Sequence, residues 1–239
     1  MSDGFLLLHG KGSGPDFPTC STTAVYHNMS ADGILADHVS NSWALGKLYQ
    51  YPFEQCISDV QQGIDRLVAR GATRIHIVGH SLGGNIALYY ATQYTNFTSI
   101  VALAPAHNTH LSKFNQWSLW SRNKAQALID QGNDTQADFI DVAMMEVYIT
   151  HGRPSSYLSF QNPNGNTVMT RNVRKFLKPV NLFVATGTND VTQVEVASMI
   201  YNPASKTAAS RLLSTNDGHT DISVNTYPNW LKWCLDLAD

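Results

Sequence analysis

Arg74-Ile-His-Ile-Val78-Gly79-His80-Ser81-Leu82-Gly83-Gly84-Asn85-Ile-Ala-Leu-Tyr-Tyr90-Ala-Thr-Gln-Tyr94 is the stretch on which the interpretation of this chain turns. Arg74–Val78 predicts a strand, residues from about Asn85 to Tyr94 predict a helix, and Gly79-His80-Ser81-Leu82-Gly83 between them fits G-x-S-x-G. A turn that sharp pushes its central side chain into an unfavourable backbone region, and the flanking glycines prevent clashes with the neighbouring strand and helix. Ser81 is then presented at the top of a sheet, a nucleophile elbow. The Leu82 N–H that follows sits at a helix N-terminus, where unpaired donors and the helix dipole favour developing negative charge. The plain alternative is a tight turn in which Ser81 caps the helix.

Outward from the elbow, strand and helix alternate. Phe5–His9 is a short apolar run followed at once by Gly10-Lys11-Gly12-Ser13-Gly14-Pro15, which predicts a buried parallel strand ending in a glycine-rich loop. Thr22–Ala31 is weakly helical and Ile34–Val39 is a short second strand. Phe53–Arg70 carries Phe53, Cys56, Ile57, Val60, Ile64, Leu67 and Val68 at three- and four-residue spacing, a helix with one apolar face closed by Gly71. Ser99–Ala104 is a further strand stopped by Pro105. From Ala106 to Pro179 the chain turns polar, with helical patches near Lys124–Gln131 and Phe139–Val147 and no strand-helix-strand unit. It reads as an insertion folded over the ligand-bearing edge of the sheet. Alternation resumes with a strand at Val180–Thr186, a helix near Gln193–Tyr201, a strand at Arg211–Ser214 and a terminal helix from about Asp221 to Leu237. Such alternation calls for a mostly parallel sheet covered on both faces.

The 239 residues, 43% hydrophobic and 14% charged, suit one compact domain, and a formal net charge of −2 offers no basic field for nucleic acid or anionic membrane. Cys20, Cys56 and Cys234 are odd in number and lack CxxC spacing, so they read as reduced structural thiols. No apolar run approaches the ~20 residues needed to span a bilayer, and no leader is recognisable. The chain as written reads as cytoplasmic. Because Met1 lies only four residues before the first strand, a chain trimmed of a leader would look the same and would be periplasmic or secreted. Sequons at Asn28, Asn96 and Asn133 mean little without a secretory signal.

A serine hydroxyl is a poor nucleophile until a base takes its proton, and that base needs an orienting carboxylate. Asp190, in Thr186-Gly187-Thr188-Asn189-Asp190, follows the apolar strand Leu182–Ala185 and so faces the edge where open α/β sheets bind ligands. The competing role is a turn aspartate accepting local N–H bonds. His219, in Asn216-Asp217-Gly218-His219, follows Leu212-Leu213-Ser214 and precedes the last helix, which makes it the best candidate among nine histidines. Ser81, Asp190 and His219 stand in the chain order Ser, Asp, His. His9-Gly10-Lys11-Gly12 supplies an oxyanion hole, with the Lys11 and Leu82 N–H groups as donors and Gly12 as the alternative to Lys11. His9 reads as a loop-bracing residue.

In the insertion, His107-x-x-His110 has no accompanying carboxylate at a recognisable spacing, so no metal is expected; His107, just beyond a strand end, is a candidate pocket residue together with Gly12. Phe114, Trp117 and Trp120 are spaced either to pack the insertion on the body or to form an apolar wall for an acyl or aromatic group.

The strand ending in His9-Gly10, the Gly79–Gly84 turn, Gly187-Thr188-Asn189-Asp190 and Asp217-Gly218-His219 resemble the α/β-hydrolase superfamily. Ala104-Pro105-Ala106-His107, Tyr157–Phe160 and Val168–Asn172 resemble segments of a poorly characterised bacterial group within it. The resemblance implies a three-layer α/β-hydrolase fold with about six strands, the first strands of the superfamily sheet being missing. Residues 106–179 would form a lid. It implies a carboxylesterase-like serine hydrolase that cleaves a small ester or thioester through a Ser-His-Asp catalytic triad and an acyl-enzyme, without a cofactor. The alternative is a binding or signalling protein on a hydrolase scaffold. Substrate and oligomeric state are left open.

Overall fold

The computed structural model describes residues 2–14, 21–38, 42–144, 146–192 and 195–237. Cys20, Val39, part of the predicted 193–201 helix and the Pro15 end of the glycine loop lie outside them.

The first strand, β1 (Asp3–Leu8), shows why the sheet forms: Leu6 and Leu8 enter one hydrophobic cluster and Phe5 and Leu7 the other. Alternation of side chains along a strand divides an unbroken apolar run between two faces, which is why buried parallel strands look continuously hydrophobic. The same division recurs in β3 (Arg74–His80), β4 (Ser99–Leu103) and β7 (Asn181–Gly187), each fully buried over most of its length. With the short β2 (Ala36–His38) and β8 (Arg211–Thr215) they make a parallel six-stranded sheet in the order β2-β1-β3-β4-β7-β8.

On one face lie α2 (Gln55–Ala69) and α3 (Leu82–Tyr90); on the other lie α1 (Ser21–Ala31) and the C-terminal pair α7 (Ile222–Asn225) and α8 (Tyr227–Leu235). The predicted terminal helix is thus two pieces, interrupted at Thr226 ahead of Pro228, whose ring is tolerated in the first turn of α8. In α2 the predicted apolar face is buried from Cys56 to Leu67, but Val68 is 54% exposed and belongs to the outer face.

Between β4 and β7 the chain forms α4 (Ser112–Asp130), β5 (Ala137–Ala143), β6 (Glu146–Gly152), α5 (Pro154–Gln161) and α6 (Met169–Asn172). The helical patch expected at 139–147 is instead an antiparallel hairpin, with Ile140 opposite Ile149 and Val142 opposite Val147. Three- to four-residue apolar spacing around Phe139 and Val142 mimics a helix, while the hairpin turns an aspartate inward and isoleucines outward. A π-helical turn (Ala197–Tyr201) stands between β7 and β8. Cys56 and Cys234 are free and buried, and burial raises both thiols, Cys234 to about 12. Among the described residues no helix is long and apolar enough to cross a membrane.

Candidate active site

Ser81 stands between β3 and α3 with φ 55 and ψ −119, a conformation that L side chains rarely adopt. The turn is that tight because the two glycines of the motif let backbones touch. A Cβ on Gly79 would lie 2.3 Å from the Gly83 carbonyl oxygen, and one on Gly83 would lie 2.2 Å from that of Leu8. The Ser81 N–H donates to Leu103 O (2.9 Å) and its carbonyl accepts from the Asn85 and Ala106 N–H groups, so the strained residue is held from β4, the turn after it and α3. Its hydroxyl does not cap α3. It lies 2.9 Å from His219 Nε2.

His219 Nδ1 is 2.7 Å from Asp190 Oδ2, which completes a Ser81–His219–Asp190 line assembled from three loops at the C-terminal edge of the sheet. A Cβ on Gly187 would lie 2.1 Å from Asp217 O, so glycine there lets the Asp190 and His219 loops close on one another. Asp190 makes both kinds of contact its sequence position offers: Oδ1 accepts the Thr192 N–H and hydroxyl, each at 2.7 Å, while Oδ2 lies against the imidazole. Burial would raise its carboxyl, but the hydrogen bond and charge of His219 and the two bonds from Thr192 hold it below the usual carboxylate range.

Two further residues join the site without a motif to announce them. Thr192 Oγ1 lies 2.9 Å from His219 Nδ1 and so braces acid and imidazole together. His80 Nε2 lies 2.7 Å from the His219 carbonyl oxygen; burial first, and the neighbouring His219 second, push its imidazole down to about 3. It is therefore neutral, donates through Nε2, and pins the backbone of the loop that carries His219. Only the x position of G-x-S-x-G could have marked it, and that position is read as free.

The site opens into a cavity of about 390 Å³. Gly10, Lys11, His80, Ser81, Leu82 and His219 line its floor, and Leu111, Phe114, Trp117, Val142, Ala143 and Met144 of the 106–179 segment line an apolar side. His107 lines the wall; its Nε2 donates to Phe160 O (2.9 Å), and burial lowers the imidazole to about 4. Gly12 does not join the wall: its N–H, at φ +65, donates to Trp43 O instead. Among the described residues the Lys11 and Leu82 N–H groups find no acceptor. His9 braces the loop, with Nδ1 2.8 Å from Gly10 O and its own carbonyl accepting from Trp43. The aromatic trio separates, since Trp120 is 59% exposed and only Phe114 and Trp117 reach the cavity.

This architecture is that of the α/β hydrolases. Over 98% of this chain and 94% of the other it matches a structure reported for LipS and LipT, two metagenome-derived lipolytic enzymes, with a TM-score of 0.68 and 13% identity. It likewise matches the monoacylglycerol lipase of Paleococcus ferrophilus (97% and 93% covered, TM-score 0.68, 14% identity). A soluble variant of monoglyceride lipase from Saccharomyces cerevisiae, in complex with a substrate analogue, matches over 98% and 86% with a TM-score of 0.69 and 14% identity. At these identities the likeness concerns the fold. No curated protein sequence matches the chain. Residues 45–202, well over half of the chain, match the family described as serine aminopeptidase, S33, and the chain belongs to that family of α/β hydrolases.

Proposed function

We propose that this hydrolase cleaves a carboxylic ester or thioester through an acyl-enzyme on Ser81. The observation that carries the reading is the Ser81 hydroxyl, held on a strained turn at the floor of a cavity, 2.9 Å from an imidazole whose other nitrogen faces a carboxylate at 2.7 Å. With Nδ1–H donated to Asp190, His219 Nε2 is the lone-pair nitrogen and takes the Ser81 proton as Oγ adds to the carbonyl carbon. Charge develops on the former carbonyl oxygen, where the Lys11 and Leu82 N–H groups, without an acceptor among the described residues, receive it. The imidazolium then protonates the leaving alkoxide or thiolate. Water, deprotonated by the same imidazole, releases the acid and restores Ser81.

Residues 106–179 act as a lid, since they supply the apolar side of the cavity and Phe114 and Trp117 form its aromatic wall. No carboxylate stands among the described lining residues, so an N-terminal ammonium would find no partner there, whereas an apolar acyl or aryl group would be covered. Esters are therefore favoured over aminopeptide substrates.

A panel of p-nitrophenyl esters of increasing chain length, run beside thioester and amide substrates, tests this. Ester turnover with fluorophosphonate labelling that vanishes in Ser81→Ala is the expected result. A folded wild type that neither labels nor turns over any of them would mark the chain as a binder on a hydrolase scaffold.

A further inference from the structure

Lys11 points two ways. Its main-chain N–H faces the cavity as an oxyanion donor in the reading above, on which this inference rests, while its side chain runs to the β5–β6 hairpin of the insertion. There Nζ lies 3.0 Å from both carboxylate oxygens of Asp141 and 2.7 Å from Val142 O. Three ammonium hydrogens thus meet three acceptors, and none is left for a substrate.

The partner is equally occupied. Asp141 accepts the Tyr49 hydroxyl (2.7 Å), the Tyr148 hydroxyl (2.8 Å) and the Val142 N–H (2.7 Å), and its side chain is 2% exposed against 9% for Lys11. Burial raises the carboxyl, but the Lys11 ammonium first and the Tyr49 hydroxyl next hold it below its ordinary range. A buried ion pair gains little stability over well-packed apolar residues of the same volume, because desolvation offsets the attraction. What such a pair does supply is direction, since a fully satisfied network in a low-dielectric setting has one arrangement.

We propose that Asp141 is a positioning residue of the oxyanion hole: by fixing the Lys11 side chain from the insertion, it fixes where the Lys11 main-chain N–H points. The lid is in this way built into the catalytic geometry as well as into the cavity wall. Nothing in the Gly10–Gly14 loop needs a lysine for an N–H donor; the side chain is required only by its partner on β5.

The test compares Asp141→Asn, Lys11→Met and the apolar pair Lys11→Met/Asp141→Leu with wild type, using a short p-nitrophenyl ester and a trifluoromethyl ketone. The ketone probes the oxyanion directly: Ser81 Oγ adds to its carbonyl carbon, the hydroxyl proton passes to His219, and the carbonyl oxygen becomes the hemiketal alkoxide. Misplacing one donor is expected to lower kcat by roughly 10- to 100-fold, below the 10²–10³ loss for removing one. KM should stay within about threefold and ketone affinity should fall by about the same factor as kcat. The apolar pair should recover the melting temperature but neither kcat nor ketone affinity, which separates positioning from support of the fold. It also decides the matter if Asp141→Asn does not fold. Wild-type kcat and ketone affinity in a folded Asp141→Asn, or recovery of both in the apolar pair, would overturn the proposal while leaving the triad reading intact. Absence of ester turnover and of fluorophosphonate labelling in wild type itself would overturn both together.

Discussion

Strand β3 carries a Ser–His–Asp hydrogen-bonded line at each end. At its C-terminal end Ser81, His219 and Asp190 are joined at 2.9 and 2.7 Å; near its start Ser99 Oγ lies 2.7 Å from His76 Nδ1, and His76 Nε2 lies 2.8 Å from Asp3 Oδ1. By residue type and distance the two are nearly equivalent. They differ in what surrounds the hydroxyl. Ser99 begins β4 in regular pairing opposite His76, has no exposed surface, and neighbours Cys234 of α8. Ser81 sits on a backbone forced to φ 55, beside N–H groups that have no acceptor among the described residues, at the floor of a cavity. On the proposed function, the comparison teaches that such a line can act as a catalyst only where a substrate carbon can reach the oxygen and the developing charge has donors waiting. At the other end of the strand, the same three residue types satisfy each other's hydrogen bonds, Ser99 and His76 inside the core and Asp3 at its margin, where it also pairs with Arg74 at 3.0 Å.

The largest expected effect bears on that contrast most directly. Ser81→Ala should lower kcat on a p-nitrophenyl ester by a factor on the order of 10⁴ to 10⁶; near-normal turnover would erase the distinction between the two ends. Next, Asp190→Asn should reduce kcat by roughly 10³- to 10⁴-fold through loss of the imidazole's orientation and charge partner, with the melting temperature nearly unchanged. Asp3→Asn should do the reverse, leaving kcat alone and lowering the denaturant midpoint. A large stability loss with normal kinetics in Asp190→Asn would mark that residue as a turn residue after all.

Acidification should unsettle buried imidazoles at both ends of the sheet. Burial lowers His76, and it lowers His9 to about 4 and His80 to about 3. In the unfolded chain these imidazoles bind protons below about pH 6.5, while the folded chain keeps them neutral further down. The unfolded state therefore holds more protons throughout that window, so stability falls as pH drops below about 6.5. His9 alone corresponds to on the order of 3 kcal/mol at one pH unit per 1.36 kcal/mol. Calorimetry from pH 7.5 to 4.5 should show the melting temperature falling equally in wild type and Ser81→Ala, because the loss comes from the buried imidazoles, His80 of the elbow among them, rather than from the Ser81 hydroxyl. The smallest effect belongs to Ser99→Ala: about 1–3 kcal/mol of stability from an acceptor left unsatisfied at His76, with kcat within about twofold. A kinetic defect there without a stability change would contradict the comparison.

Much of the fold was legible because parallel strands and amphipathic helices advertise themselves locally: β1, β3, β4 and β7 as short apolar runs, α2 by its spacing. The elbow was legible for the same reason, its glycines being required by contacts of 2.2 and 2.3 Å that no side chain could survive. The β5–β6 hairpin was not. Its pattern runs against burial, with Asp141 turned inward and Ile140, Val147 and Ile149 turned outward, so alternation of apolar and polar residues could not reveal it. The inward aspartate that hid the strand is the one that holds Lys11; local rules fail where a residue is kept for a contact far away in sequence.

From sequence alone came the parallel sheet, the strained serine and the order Ser81, Asp190, His219, each a matter of periodicity or of what a tight turn permits. Tertiary structure alone decided that His80 and Thr192 brace the imidazole, that Gly12 turns its N–H to Trp43, and that of two Ser–His–Asp lines the one at Ser81 opens to a cavity. The physical reason is range. Backbone preference acts over a few residues, whereas access, donor direction and charge pairing arise between distant segments, 139 positions apart for His80 and His219, and exist only once the sheet has brought them together.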